Sequence, residues 1–156
     1  MPQPHADPDA TPPPTEFTHR LRVRYAECDP FKVAHHSSYV AWLEEARTEM
    51  LRPCGVSYAE LETRGVYLVI TKLELKYRRP IRYDDVLDIF VSASAAGTVR
   101  LRHQYELRLI ERFGRDPDRA DPAVPADGVC AIATTELACV NADGRPQPMP
   151  AWLVGA

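Results

Sequence analysis

Residues 25–47 read YAECDPFKVAHHSSYVAWLEEAR, and the chain changes its period inside them. Upstream, Phe17, His19, Leu21, Val23 and Tyr25 share one parity, and Thr18, Arg20, Arg22 and Arg24 the other. That period of two predicts a half-buried strand. Downstream, Tyr39, Leu43, Ala46 and Met50 recur at spacings of four, three and four, one face of a helix over about 38–51. Glu44, Glu45, Arg47 and Glu49 fall mostly off that face. Pro30 cannot donate to a sheet ladder, so the strand is expected to close at Cys28-Asp29-Pro30. Ser37 or Ser38 is expected to cap the helix, and Pro53 and Gly55 to stop it.

Working outward, Ser57-Tyr58-Ala59-Glu60 is a capping-box pattern that opens a short helix, closed at Gly65. The apolar run Val66–Ile70 leads into Thr71, Leu73, Leu75 and Tyr77, which alternate with charged residues until Pro80. Leu87, Ile89, Val91 and Ala93 predict the next strand, with a turn at Gly97. Val99, Leu101, His103, Tyr105, Leu107 and Leu109 give the cleanest alternation. A polar, proline-rich loop follows over 113–127, then a strand over 128–140 and a turn at Asn141–Gly144. The order is one strand, a long helix, a short helix and four strands. Strands joined by turns pair antiparallel. One face of such a sheet needs a cover. The long helix is the only apolar stripe available, so the pattern predicts an α+β fold: a curved antiparallel five-stranded sheet wrapped around one central helix.

The 156 residues suit one domain. Residues 1–15, rich in proline and poor in apolar side chains, read as a disordered tail, leaving 16–156 as the domain. Nineteen basic against 22 acidic side chains leave a formal net charge of -3, which argues against nucleic acid as partner. No apolar run approaches the roughly 20 residues that span a bilayer, and the N-terminus lacks signal-peptide character. Cys28, Cys54, Cys130 and Cys139 form no C-x-x-C pair and read as reduced thiols of a cytoplasmic protein.

Chemistry concentrates between strand and helix. Asp29 before Pro30 can be a turn residue, satisfying local N–H groups, or a carboxylate acting as general base or nucleophile beside a helix N-terminus. His35 and His36 lack the additional ligands of a metal site, so no metal is expected. Ser37 and Ser38 lack a nucleophile elbow. Lys72, Lys76, Arg78, Arg79 and Arg82 gather near one strand end, as a solvated face or as a landing site for phosphates. No glycine-rich phosphate loop is present, which sets aside nucleotide hydrolysis and dinucleotide cofactors, and no cofactor is expected.

Together these residues resemble the hotdog-fold acyl-CoA thioesterases, specifically the 4-hydroxybenzoyl-CoA thioesterase group and its short-chain acyl-CoA relatives. Arg24, Glu27, Asp29, Val33, Ala34, His35, His36 and Tyr39 fall on that family's first block, and Glu45 and Arg47 on its E-x-[AG]-R helix. Glu74–Ile81 with Asp84-Asp85 is similar to its second strand and the turn after it. The resemblance covers about residues 18–142. It implies the hotdog fold, a homodimer or homotetramer built as a dimer of dimers, and hydrolysis of an acyl-CoA thioester without a cofactor. It implies Asp29 and His36 as the catalytic residues, Asp29 as base or nucleophile and His36 as a histidine lining the site, and backbone N–H groups at the start of the helix as the oxyanion hole. Lys32, Val33, Ala34, His35, Tyr39, Tyr67, Arg78 and Arg79 are the expected substrate contacts. The family's usual glycine and small residue are replaced by Lys32 and Phe31. This implies strain or a different backbone path, and opens an alternative: a protein that binds acyl-CoA or acyl-carrier-protein thioesters without cleaving them.

Overall fold

The computed structural model describes residues 13–112 and 126–153. The expected tail lies outside them up to residue 12, and so does most of the 113–127 loop. Five strands, β1 Glu16–Arg22, β2 Tyr67–Tyr77, β3 Val86–Ala95, β4 Arg100–Glu111 and β5 Val129–Val140, form one antiparallel sheet in the order β1-β3-β4-β5-β2. Between β1 and β2 run the helices α1, Ser38–Glu49, and α2, Tyr58–Thr63.

The helix face read from the sequence is the face that packs. Tyr39, Leu43, Ala46 and Met50 are buried, joined by Trp42, against Ile89 and Val91 of β3, Tyr105 and Leu107 of β4, and Ala131 and Ala133 of β5. Burying side chains of this size is worth about 1.5–3 kcal/mol each. The capping box at Ser57 forms as expected: Ser57 N–H donates to Glu60 at 2.6 Å, and Glu60 N–H to Ser57 Oγ at 3.3 Å. All four cysteines carry free thiols. No described helix is long and apolar enough to cross a membrane.

Four expectations need correction. First, β1 ends at Arg22, not at the Cys28–Pro30 stretch, and its ladder reaches back into the expected tail, where Ala93 N–H donates to Thr15 O at 2.8 Å. The Glu27 carboxylate accepts from Arg24 N–H at 2.8 Å and from its guanidinium at 3.0 and 3.1 Å, which folds Tyr25–Glu27 into a 3-10 turn and leaves Tyr25 68% exposed. Second, neither Ser37 nor Ser38 caps α1: Ser37 already has helical φ and ψ, and Ser38 Oγ donates back to Glu27 O at 2.8 Å. Third, Arg47 lies off the expected apolar stripe yet is only 9% exposed.

Fourth, β2 carries a bulge. Ile70 faces Leu137 and Lys72 faces Glu136, so Thr71 is the extra residue. Leu68 and Ile70 therefore share the inward face with Leu73, Leu75 and Tyr77, although their parities differ. This is why a continuous apolar run precedes an alternating one. Thr71 Oγ1 donates to Glu136 O at 3.2 Å and holds the bulge.

A buried ion pair anchors the turn between β2 and β3. Asp85, fully buried, receives Arg112 Nε and Nη2, each at 3.0 Å, and Arg82 N–H at 2.8 Å. Arg112 is buried too, with 7% of its side chain exposed. Removing one member of such a pair strands the other charge. Asp85→Ala is expected to lower the unfolding free energy by about 3–5 kcal/mol in urea titration. Asp85→Leu combined with Arg112→Met is expected to recover most of that loss.

Candidate active site

The candidate residues are placed by a loop hooked onto that anchored turn. Cys28 and Ala34 bridge antiparallel, and so do Val33 and Arg82. Ala34 N–H donates to Ile81 O at 2.7 Å, and Tyr83 N–H to Lys32 O at 2.9 Å. Inside the loop, Asp29 N–H donates to Val33 O and Lys32 N–H to Asp29 O, both at 2.9 Å. Asp29 Oδ1 accepts Phe31 N–H at 2.9 Å, closing an Asx turn. That contact is the only hydrogen bond of the Asp29 side chain to a described residue, so Oδ2 is uncommitted. Half-buried Asp29 thus performs the turn role with one oxygen and presents the other.

Lys32 sits at φ 62, left-handed backbone in which glycine is unstrained. Of the two paths open at this position, the chain keeps the turn and accepts the strain, about 1–2 kcal/mol for a residue with a Cβ. Phe31 is 86% exposed, so its bulk lies outside the loop.

The two histidines divide their work. His35 N–H donates to Glu27 O at 2.8 Å. Its Nδ1 accepts Ser37 N–H at 3.2 Å and lies 2.7 Å from Ser37 Oγ. An imidazole therefore holds the amide of Ser37, just ahead of α1, where a serine cap was expected. His36 stacks on His35 with ring centroids 4.0 Å apart, and its carbonyl accepts the Tyr77 hydroxyl at 3.1 Å. His36 N–H donates to no described residue. It lies just ahead of the positive end of a twelve-residue helix. An uncommitted carboxylate oxygen and an uncommitted amide at a helix start can serve a base and an oxyanion.

Tyr39 is a core residue, buried edge-on to Tyr77 at 4.8 Å and beside Trp42 at 5.0 Å. Burial pushes its hydroxyl up to about 12, so it remains protonated. Arg78 and Arg79, at the same end of β2, both donate their N–H to Cys130 O, at 2.8 and 3.0 Å. The Arg78 guanidinium is engaged with Asp127 at 3.1 Å, while exposed Arg79 makes no ion pair with a described residue. Tyr67 opens β2 at its other end, ten residues from Tyr77, or about 33 Å along the strand, so one chain does not bring it to the others. Tyr77 itself escaped sequence reading as a site residue: its inward parity was visible, but its hydroxyl contact with His36 spans 41 residues of chain. No three His, Cys, Asp or Glu side chains among the described residues are grouped to hold a metal.

With this geometry in hand, likeness to known proteins is informative. The family model of the Thioesterase-like superfamily matches residues 23–156. The acyl-CoA thioester hydrolase YbgC of Escherichia coli is 43% identical over 75 residues, covering 48% of this chain and 56% of that protein. The 1,4-dihydroxy-2-naphthoyl-CoA hydrolase of Thermosynechococcus vestitus is 24% identical over 140 residues, 86% of each. A solved hypothetical protein of Thermus thermophilus superposes with a TM-score of 0.71 at 28% identity, covering 90% of this chain and 93% of that one. The chain spans about half the length of the first curated relatives it matches, from 47% to 59%. These likenesses and the sheet topology agree on the hotdog fold expected from the sequence.

The strain at Lys32 is measurable. Lys32→Gly is expected to leave stability unchanged or raise it by up to about 1 kcal/mol, because relief of the left-handed backbone outweighs the entropy glycine adds to the unfolded chain. Lys32→Val, stiff at its β-carbon, is expected to cost about 2 kcal/mol in the same denaturation assay.

Proposed function

We propose that this chain, which belongs to the thioesterase-like superfamily, hydrolyses an acyl-CoA thioester to the free acid and coenzyme A. The observation that carries the reading is the uncommitted Asp29 Oδ2 and the uncommitted His36 N–H at the two ends of the loop that leads into α1. A thioester is already activated, so a base, a water and an oxyanion site suffice. Asp29 draws a proton from water as that water adds to the thioester carbon. The carbonyl oxygen becomes an oxyanion, held by His36 N–H and the helix dipole. Collapse of the tetrahedral adduct breaks the C–S bond, and the proton leaves on the coenzyme A thiol. In the nucleophile variant, Asp29 attacks directly and water hydrolyses the resulting anhydride.

The His36 ring lines the site, with His35 and Tyr77 holding its backbone in position. Val33 and Ala34 present the loop backbone to the acyl group, and Tyr39 walls it. Lys32 and Arg79 are exposed cations for the phosphates of the coenzyme, with Arg78 shared with Asp127. Four free thiols suit a reducing, cytoplasmic setting. Assembly into a homodimer or homotetramer is supported by β2. It is an edge strand of eleven residues whose Val69, Ile70, Leu73 and Tyr77 are 36–49% exposed. An edge this long and apolar asks for a partner.

Asp29→Asn tests the chemistry. The amide oxygen can still accept Phe31 N–H, so fold and melting temperature are expected to persist. Thiol release from a panel of short, long and aromatic acyl-CoAs is expected to fall at least a hundredfold. Wild-type turnover in this variant would remove Asp29 from the reaction. Coenzyme A binding by the wild-type protein with no thiol release from any thioester would favour the binding-only alternative. Sedimentation equilibrium at micromolar concentration is expected to return the mass of a dimer or tetramer. A monomer there would count against the edge-strand argument.

A further inference from the structure

A second polar site lies at the other end of α1. Arg47 is nine residues beyond Ser38, about 13 Å along the helix axis, and so well away from the Asp29 loop. Its side chain is 8% exposed, yet its guanidinium donates no hydrogen bond to any described residue. Its one ion pair is with Glu44 at 3.6 Å, and that side chain is 68% exposed to solvent. The Tyr58 ring lies under it at 5.8 Å, but the Tyr58 hydroxyl is already given to Leu68 O. A buried cation so weakly paired is costly unless something neutralises it.

Beside Arg47 is His103 of β4, 4% exposed, whose Nδ1 is buried with no hydrogen-bond partner among the described residues. Its imidazole is pushed down to about 4, first by burial and then by the Arg47 charge, so it is neutral and keeps one N–H to donate. Arg47 and His103 line the same cavity of about 50 Å³. The remaining walls are mainly apolar, with Met50, Leu51 and Leu101 among them, and no carboxylate of a described residue contributes. Pro13, Pro14 and Thr15 close one side and Leu153 another. A water needs about 10–15 Å³ by this kind of measure, so the space holds a few waters or one small ion.

We propose that this cavity is a binding site for one small monovalent anion, held by the Arg47 guanidinium and the His103 imidazole. The chemistry is that of a formate-sized carboxylate or a halide. Larger organic anions exceed the space. The bound anion neutralises Arg47 and ties α1 to β4, and it owes nothing to thioester chemistry.

The test uses the full chain in sodium gluconate, whose anion is too large for the cavity, at constant ionic strength. Replacing gluconate by formate is expected to raise the melting temperature saturably, by about 4 °C at ten times the apparent Kd. Bromide is expected to compete in the same range. Arg47→Met is expected to abolish the formate increment and, no longer burying a bare cation, to melt no lower than wild type in gluconate. His103→Phe is expected to weaken formate at least tenfold. Line broadening of ¹³C-formate by the wild-type protein, relieved by bromide, provides a readout that needs no variant. An equal formate response in wild type and Arg47→Met, or no saturable response and no broadening in wild type, overturns the proposal.

Discussion

The site rests on the bidentate pair between Asp85 and Arg112. Asp85 spends its carboxylate on that guanidinium and on Arg82 N–H, while its own carbonyl receives Val23 N–H at 2.9 Å. One buried side chain thus gathers the end of β4, the entry to β3 and the exit from β1. The Asp29 loop bonds to this turn and borrows its rigidity. Among the described residues, the two non-glycine ones with left-handed backbone, Lys32 and Asp84, occupy the facing loops. Such conformations persist only where the surroundings over-determine them. Here the over-determination is visible in three places: Ala34 and Tyr83 bond across the gap between the loops, and the Arg22 guanidinium reaches Asp84 O at 3.1 Å.

The candidate site separates holding from reacting. One Asp29 oxygen closes the Asx turn, and the other is left over. His35 uses its amide on Glu27 and its Nδ1 on Ser37, just ahead of α1. His36 is gripped by its carbonyl alone, so its amide and ring remain available. Under the proposed reading, groups held this way would need no reorganisation when charge develops, which is the condition for electrostatic stabilisation to be effective.

Much of this was legible in the chain, and the gaps have physical reasons. Alternation exposed β3 and β4, a loop and a turn bounded β5, and the 39/43/46/50 stripe exposed the helix and its packing face. Local hydrogen bonding decided what alternation could not. The Glu27 carboxylate turned the chain at Arg24 although Tyr25 still had the parity of β1. α1 begins without a side-chain cap although two serines stood in place, and His35 Nδ1 holds the Ser37 amide just ahead of it. Arg47 was placed off the apolar face by its helical position, because one sequence cannot show that a cavity forms beneath it. Asp85 was visible as half of an Asp-Asp pair, but its partner lies 27 residues downstream, and pairing over that distance leaves no local signature. Asp29 itself was ambiguous by position. The resemblance weighted it toward chemistry, and the geometry shows one carboxylate oxygen in the turn and the other without a hydrogen bond to a described residue.

The bulge at Thr71 has a consequence for how this strand can change over generations. Substitutions on either side of Thr71 are read independently, because each half of β2 keeps its own phase. Changes of length are not. Deleting a single residue between Tyr67 and Thr71 could be absorbed by losing the bulge, whereas deleting one between Lys72 and Tyr77 would turn Tyr77 away from His36 and from the Tyr39 ring. The strand therefore has one place where its length is negotiable, set apart from the end that touches the site.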